Sequence, residues 1–170
     1  MPVKAHPYGH QQRAYEFACR LFGLTGRNPP PSRGVALLME MGTGKTLTTI
    51  AVSGRLFLDH KIERMLIVAP LSILGVWQEE FQKFADYPYS LAVLNGTGSR
   101  KSENLRQIPT NGLIVGVINY ESAWRLEDEL AAWNADLIVC DEGHKIKTHN
   151  IAASKCMHRL GATARYRMLL

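Results

Sequence analysis

The stretch that decides the fold runs from Leu37 to Thr46 and reads LLMEMGTGKT. Apolar residues typical of a strand lead into a glycine-rich turn, and Lys45 and Thr46 then open an apolar helix that extends to Leu58. The backbone N–H groups of such a turn point inward, and the helix dipole favours an anion at this position. The order strand, turn, helix therefore predicts a cradle for phosphate.

The residues of this turn have separate expected roles. Gly42 and Gly44 allow a phosphate to approach the backbone closely and tolerate positive φ. Lys45 can reach the β- and γ-phosphates, and the hydroxyl of Thr46 can ligate Mg²⁺. Because Met39 stands where the full P-loop pattern has glycine, only the half-pattern Gly-x-Gly-Lys-Thr is met. A flexible strand–helix turn without a ligand is the alternative for this half-pattern alone.

A second signal follows the apolar run from Leu137 to Cys140, which is typical of a buried strand and ends in Asp141 and Glu142. Ionisable groups at the end of such a strand lie where open α/β sheets bind ligands. We expect Asp141 to hold Mg²⁺ directly or through water, and Glu142 to orient or deprotonate an attacking water. The alternative is an acidic strand end that faces solvent, which the presence of both motifs in the expected order disfavours.

Bulk composition narrows the class of protein. The 170 residues are 46% hydrophobic and 21% charged, as in an ordinary globular chain with one core. No apolar run approaches about 20 residues, and the N-terminus lacks a signal-peptide core, so we expect a cytoplasmic protein without a membrane span. Cys19, Cys140 and Cys156 form no Cys-x-x-Cys pair, which argues against a zinc site or a disulfide framework.

The charge is distributed unevenly. The formal net charge is +5, and no Asp or Glu follows Glu142, although six Lys or Arg residues do. This asymmetry fits a polyanionic partner, or else a solvated cationic surface without a ligand.

Hydrophobic periodicity predicts an α/β fold. Strands are expected at 34–38, 65–69, 89–94, 113–118 and 137–140, with one more beginning at 165. Helices are expected at 9–22, 45–60, 73–84, 121–134 and 151–160, and 95–102 is expected to be a polar loop. Apolar strands separated by helices indicate right-handed crossovers and a mainly parallel sheet with helices on both faces. The sequence contains no linker that suggests a second domain.

Five short motifs carry a family resemblance when they are taken in order along the chain. They are Tyr8–Gln12, similar to an adenine-reading glutamine motif in which Gln11 is the better match; Glu40–Thr46; Leu66–Pro70 with Trp77 and Glu80; Val117–Glu121; and Asp141–His144 with Ile146 and Lys147, similar to an Asp-Glu-Ala-His box. Together they resemble the first RecA-like lobe of a superfamily-two helicase of the Swi/Snf type, a P-loop NTPase fold.

The resemblance implies an ATP- and Mg²⁺-dependent hydrolase in which residues 1–170 form the N-terminal ATP-binding lobe. Lys45, Asp141 and Glu142 would be catalytic, and Thr46 and Asp141 would hold the metal. Nucleotide contacts would come from Gln11, Met41, Gly42, Thr43, Gly44, Lys45 and Thr46. His144 would relay between the nucleotide and nucleic-acid sides, or else be a hydrogen-bonded structural histidine.

The resemblance also implies a duplex DNA partner. Ser72, Asn119 and Lys147 are the expected phosphate contacts, with Arg100 and Lys101 as secondary candidates. Trp77, at helical spacing with Leu74 and Phe81, is expected in the core.

In the family a second RecA-like lobe, which carries an arginine finger, would follow Leu170, so the isolated lobe is expected to hydrolyse ATP slowly. The alternatives are an RNA or single-strand-unwinding helicase, a restriction-system translocase subunit, and a nucleotide-binding interaction module without motor function. Compact loops suggest a bacterial or phage source.

Two departures from the family pattern have structural expectations attached. Gly143 replaces the usual Ala, a change between small residues that is expected to preserve backbone packing. Met39 replaces the usual Asp or Gly and is expected to leave the donors of the phosphate cradle in place.

Overall fold

A computed structural model describes residues 1–25, 32–40, 42–146 and 151–170, apart from the side chains of Lys145 and Ile146. Its centre is a six-stranded sheet in the order β1-β6-β5-β2-β4-β3, and every adjacent pair of strands is parallel. The strands are β1 Gly34–Ala36, β2 Arg64–Ala69, β3 Tyr89–Val93, β4 Leu113–Asn119, β5 Leu137–Cys140 and β6 Tyr166–Leu169. The prediction of a parallel α/β fold is confirmed.

Helices connect the strands. They are α1 Gly9–Leu21, α2 Lys45–Leu58, α3 Leu74–Phe84, α4 Gly98–Arg106, α5 Tyr120–Arg125, α6 Glu127–Trp133 and α7 Ala152–Thr163. Short 3₁₀ turns occupy Leu71–Ile73 and Gly143–Ile146. Among the described residues, no helix has both the length and the apolar character needed to cross a bilayer.

The sheet is buried on both faces because its strands are apolar at consecutive positions. In β2, Met65 and Ile67 pack into the cluster that contains α1, α2 and α3, whereas Leu66 and Val68 pack into the cluster that contains α4 to α7. Side chains alternate between the two faces of a strand, so a run of apolar residues reads as a strand with helices on both sides.

The register brings several strand ends to one level. Ala36 at the end of β1 and Cys140 at the end of β5 both pair with Leu169 of β6. On the other side of β5, Ala69 at the end of β2 pairs with Asn119 at the end of β4. The loops after β1 and β5 therefore leave the same edge of the sheet about 10 Å apart, which is two strand spacings.

Two local predictions were wrong. The polar segment predicted as a loop at 95–102 contains the start of α4, because the hydroxyl of Thr97 accepts a hydrogen bond from Arg100 N and caps the helix, while Ser102 and Leu105 are buried. The single helix predicted at 121–134 is divided into α5 and α6 at Leu126 (φ −113°, ψ 27°). No glycine or proline marks this break in the sequence.

Candidate functional site

The glycine-rich turn after β1 has the backbone geometry of a phosphate cradle. Gly42 and Gly44 have φ of 77° and 91°, which glycine adopts without strain. Helix α2 begins at Lys45, with Gly44 as a cap that supplies no side chain and with no acidic residue in the first turn. The first N–H groups of α2 therefore have no side-chain cap and are available to an anion. Met41 lies outside the described residues.

Lys45 and Thr46 stand at the start of α2, beside this turn. The ammonium of Lys45 donates a 3.2 Å hydrogen bond to the carbonyl oxygen of Met39. An ammonium has three donors, so two remain for a phosphate. Thr46 is partly buried one position further along the helix.

Gln11 connects α1 to the phosphate turn. Its Oε1 accepts a 2.9 Å hydrogen bond from Tyr8 N, and its Nε2 donates a 3.1 Å hydrogen bond to the carbonyl oxygen of Thr43. The ring of His10, which sequence reasoning missed, lies with Nε2 2.9 Å from the same oxygen. A Cβ on Gly44 would lie 2.2 Å from Nε2 of Gln11, so a side chain there would displace the Gln11 amide as well as strain the backbone at positive φ. The hydrogen bonds of the Gln11 side chain thus hold the phosphate turn against α1. Recognition of adenine by Gln11 stays a prediction.

Asp141 follows β5 directly and is only 9% exposed. Its Oδ2 accepts a 3.0 Å hydrogen bond from Nε1 of Trp77, and its Oδ1 accepts a 2.8 Å bond from Glu142 N. Burial raises the pKa of this carboxyl, and the hydrogen bond from Trp77 and the positive charge of Lys45 oppose that rise. Lys45 at the start of α2 and Asp141 after β5 thus belong to the same edge of the sheet.

Two buried aromatic residues hold Asp141. Trp77 is 1% exposed, as expected for a core residue, but it also makes the indole hydrogen bond to the carboxylate. The hydroxyl of Tyr120 donates a 2.6 Å hydrogen bond to the backbone carbonyl oxygen of Asp141. The only signal in the sequence was that both residues belong to motifs that follow strands ending at the same edge.

Glu142 and His144 are more exposed. Glu142 has a φ of 51°, a left-handed conformation that is uncommon for a residue with a side chain and is found at functional sites. Oε2 of Glu142 lies 3.8 Å from Nε2 of His144, and the two side chains are 35% and 57% exposed. Both groups are therefore accessible to solvent.

Gly143 corrects an expectation. Exchange with Ala was expected to preserve packing, but a Cβ on Gly143 would lie 2.3 Å from Cδ1 and 2.7 Å from Cγ of Leu169. Leu169 of β6 occupies the space that the Ala methyl group would need. In this chain the glycine and Leu169 are therefore matched to each other.

The nucleic-acid candidates lie across β5 from the phosphate turn. Ser72 is exposed in the 3₁₀ turn after β2, and Asn119 caps the start of α5 after β4. Because Ala69 and Asn119 are paired, these two side chains belong to adjacent strand ends. Lys147 lies outside the described residues. Of the secondary candidates, Arg100 is exposed, whereas the ammonium of Lys101 donates a 2.6 Å hydrogen bond to Ser122 Oγ.

Two of the basic residues after Glu142, Arg159 and Arg165, have protein partners in the part of the chain that the structure describes. Arg159 forms an ion pair with Glu127, and Arg165 donates a 3.1 Å hydrogen bond to the carbonyl oxygen of Lys61. Arg165 precedes β6 and so lies at the opposite edge of the sheet from Asp141. For Arg159 and Arg165, a count of charges along the sequence therefore overstates what is offered to a polyanion.

Comparison with known proteins shows the family of the chain. Residues 10–170 match the family model described as SNF2-related domain. The chain belongs to the SNF2-related domain family. The predicted Swi/Snf-type, RecA-like lobe is thereby confirmed.

Relatives of this SNF2-related domain include curated and solved proteins. It is 30% identical over 138 residues to DNA repair and recombination protein RAD54B of Gallus gallus, covering 78% of this chain and 15% of that protein. It is 31% identical over 135 residues to a probable chromatin-remodeling complex ATPase chain of Oryza sativa subsp. japonica, covering 77% of this chain and 12% of that protein. The chain therefore spans a small part of the length of these relatives.

A solved structure matches almost the whole SNF2-related domain. The Sulfolobus solfataricus SWI2/SNF2 ATPase core in complex with dsDNA superposes with a TM-score of 0.78 at 26% identity, covering 99% of this chain and 32% of that chain. Because the superposition covers nearly the whole chain, the described helices and strands share the architecture of that solved core.

Proposed function

We propose that this lobe binds ATP within a motor that couples ATP hydrolysis to movement on duplex DNA. One observation carries the proposal. The phosphate turn after β1 and Asp141 after β5 leave the sheet at one level, two strand spacings apart. The position of a phosphate cradle and a carboxylate at the same sheet edge supports one shared site for phosphate and metal.

The donors at this site fit a magnesium ion. Mg²⁺ prefers oxygen ligands, and the Thr46 hydroxyl and Asp141 carboxylate supply them together with substrate phosphates. Each carboxylate oxygen of Asp141 accepts one hydrogen bond and retains capacity for a further contact. When bound, the ion offsets the charge of the phosphates and of the transition state.

The protein residues then have distinct roles. The Gly42–Thr46 segment binds the phosphates through backbone N–H groups, and Lys45 contacts the β- and γ-phosphates. Glu142, which follows Asp141 with a φ of 51°, orients or deprotonates the attacking water. Tyr8 is 71% exposed and stacks with His10 beside Gln11, which offers a surface for the adenine.

Duplex DNA is the proposed polymer. The solved relative is described as a complex with dsDNA, and curated relatives are described as DNA repair proteins. Ser72, Asn119 and Lys147 would contact phosphates without reading sequence. His144, between the nucleotide loop and this side, would couple the two sites.

A second RecA-like lobe is part of the proposal. Because an arginine finger supplied from another element contributes about 10³ to 10⁵ in rate in analogous enzymes, residues 1–170 alone are expected to hydrolyse ATP slowly. The proposed setting is the cytoplasm of a bacterial or phage-infected cell.

The test uses Lys45→Ala and Glu142→Gln in the full-length protein, with Lys61→Ala at the opposite sheet edge as control. We expect Lys45→Ala to weaken ATP binding and Glu142→Gln to retain binding but abolish hydrolysis, as measured by calorimetry and by steady-state turnover. Duplex DNA, single-stranded DNA and RNA are compared as activators. Stimulation by RNA alone would favour the RNA helicase alternative, and unchanged ATP affinity in Lys45→Ala would contradict the cradle.

A further inference from the structure

We infer that Trp77 and Tyr120 are positioning residues that transmit nucleic-acid binding to the metal-binding carboxylate of Asp141. The inference rests on the proposed function, since it concerns how DNA contact changes ATP hydrolysis. It assigns a physical connection between two sites on either side of β5.

The first connection runs through α3. Ser72 lies in the 3₁₀ turn Leu71–Ile73, and α3 begins at the next residue and carries Trp77 on its buried face. The Trp77 indole donates to Oδ2 of Asp141 at 3.0 Å. A displacement of the Ser72 turn on phosphate contact moves the start of α3 and hence the donor that orients the carboxylate.

The second connection runs through α5. Asn119 is the cap residue of α5, and Tyr120 is the first residue of that helix. The Tyr120 hydroxyl donates to the backbone carbonyl oxygen of Asp141 at 2.6 Å. A contact at Asn119 therefore acts, through Tyr120, on the backbone of Asp141. The next residue, Glu142, has the left-handed conformation.

The two connections are complementary. Trp77 holds the carboxylate group, whereas Tyr120 holds the main chain of the same residue. Both donors are buried, at 1% and 9% exposure, so no water competes freely with these bonds. Tyr120, one residue after Asn119, and Trp77, five residues after Ser72, thus each donate a hydrogen bond to Asp141.

A merely structural explanation predicts a different result. A buried indole or phenol needs some acceptor, and any acceptor would satisfy it. Tyr87 is the matched case, because it is 8% exposed and its hydroxyl donates to the carbonyl oxygen of Ile50 at 2.8 Å, within the cluster of α1 to α3. The same hydroxyl lies 3.0 Å from Ser53 Oγ and makes no hydrogen bond to Asp141 among the described residues. Tyr87→Phe therefore measures the loss of buried phenol hydrogen bonds without the proposed transmission.

The experiment compares Tyr120→Phe, Trp77→Phe and Tyr87→Phe in the full-length protein. Steady-state ATP hydrolysis is measured with and without saturating duplex DNA over a range of Mg²⁺ concentrations, along with duplex affinity and thermal unfolding. For Tyr120→Phe and Trp77→Phe we expect the ratio of DNA-saturated to basal kcat to fall about fivefold to tenfold, the amount one hydrogen bond supplies. The Mg²⁺ concentration for half-maximal rate should rise, and duplex affinity should stay within about twofold.

The outcomes separate this inference from the proposed function. Tyr87→Phe is expected to lower the unfolding temperature but to retain the wild-type ratio. If duplex DNA stimulates the wild type while Tyr120→Phe behaves as Tyr87→Phe does, the transmission is wrong and the motor proposal stands. If duplex DNA does not stimulate the wild type, both are wrong. Should Trp77→Phe fail to fold, Tyr120→Phe, which removes a single oxygen atom, decides the question.

Discussion

The side chain of Gln11 donates a 3.1 Å hydrogen bond to the carbonyl oxygen of Thr43, 32 residues away in the sequence. The same amide accepts from Tyr8 N, and His10 contacts the same oxygen of Thr43. The start of α1 is thereby attached to the phosphate turn, so residues before the first strand contribute to the shape of the cradle.

Gln11→Ala is expected to weaken nucleotide binding by about fivefold to tenfold, because the loss of one hydrogen bond of about 1 kcal/mol loosens the turn. The measurement is a calorimetric titration with ATP and with GTP. Gln12→Ala is the matched control, since the side chain of Gln12 is exposed and donates to Glu16 within α1. An equal loss of affinity for ATP and GTP indicates that Gln11 only attaches α1 to the phosphate turn. A larger loss of affinity for ATP indicates that Gln11 also recognises adenine. An unchanged affinity for both nucleotides contradicts the role of the attachment.

Gly44→Ala is expected to be more harmful than Gly42→Ala. Both positions have positive φ, which costs a residue with a side chain about 1 to 2 kcal/mol. Only at Gly44 would the new Cβ also collide with Gln11, whereas Gly42 has open space within 4 Å. Urea unfolding and ATP titration of the two variants check this order, and an equal loss in both would contradict the role of Gln11.

Gly143→Ala is expected to destabilise the lobe by about 1 to 3 kcal/mol, because the methyl group overpacks against Leu169. In a Leu169→Ala background the same substitution should cost less than about 0.5 kcal/mol, since the obstructing side chain is gone. A double-mutant cycle by urea unfolding measures the difference. Additive effects would show that Leu169 moves aside without cost.

Asp141→Asn is expected to change the pH dependence of stability. Burial raises the folded-state pKa of Asp141 above its unfolded value, so its contribution to stability is fully present below the unfolded pKa and is lost as pH rises through the folded pKa. The free energy of unfolding of Asp141→Asn, minus that of the wild type, should therefore increase with pH across this window and then level off. Urea unfolding without nucleotide, from about pH 4 to 8, tests this. A difference that falls with pH would contradict the assigned direction.

Much of the fold was predictable because its signals are local. Runs such as Met65–Ala69 and Leu137–Cys140 are apolar at every position, which indicates strands with both faces buried. Helix α4 escaped prediction because the polar residues at 95–102 do not reveal that Ser102 and Leu105 face the core. The break at Leu126 escaped prediction because no glycine or proline marks it in the sequence.

The candidate site was predictable in its chemistry but not in its supports. Gly42 to Thr46 and the Asp141–Glu142 pair are contiguous, so their roles could be argued from residue type and spacing. Trp77, Tyr120 and His10 contact these segments from 64, 21 and 33 residues away. Each belongs to a short motif, but the motifs did not identify those partners.

By itself, the sequence determined the strands, the phosphate turn and the acidic strand end, because each depends on the side chains of consecutive residues. The tertiary structure alone decided that Ala36 and Cys140 are in register with the same residue, that Asp141 is held by two aromatic donors, and that Leu169 fills the space beside Gly143. The physical reason is that strand order and register set distances between segments far apart in the chain. A pattern read along one dimension does not contain those distances.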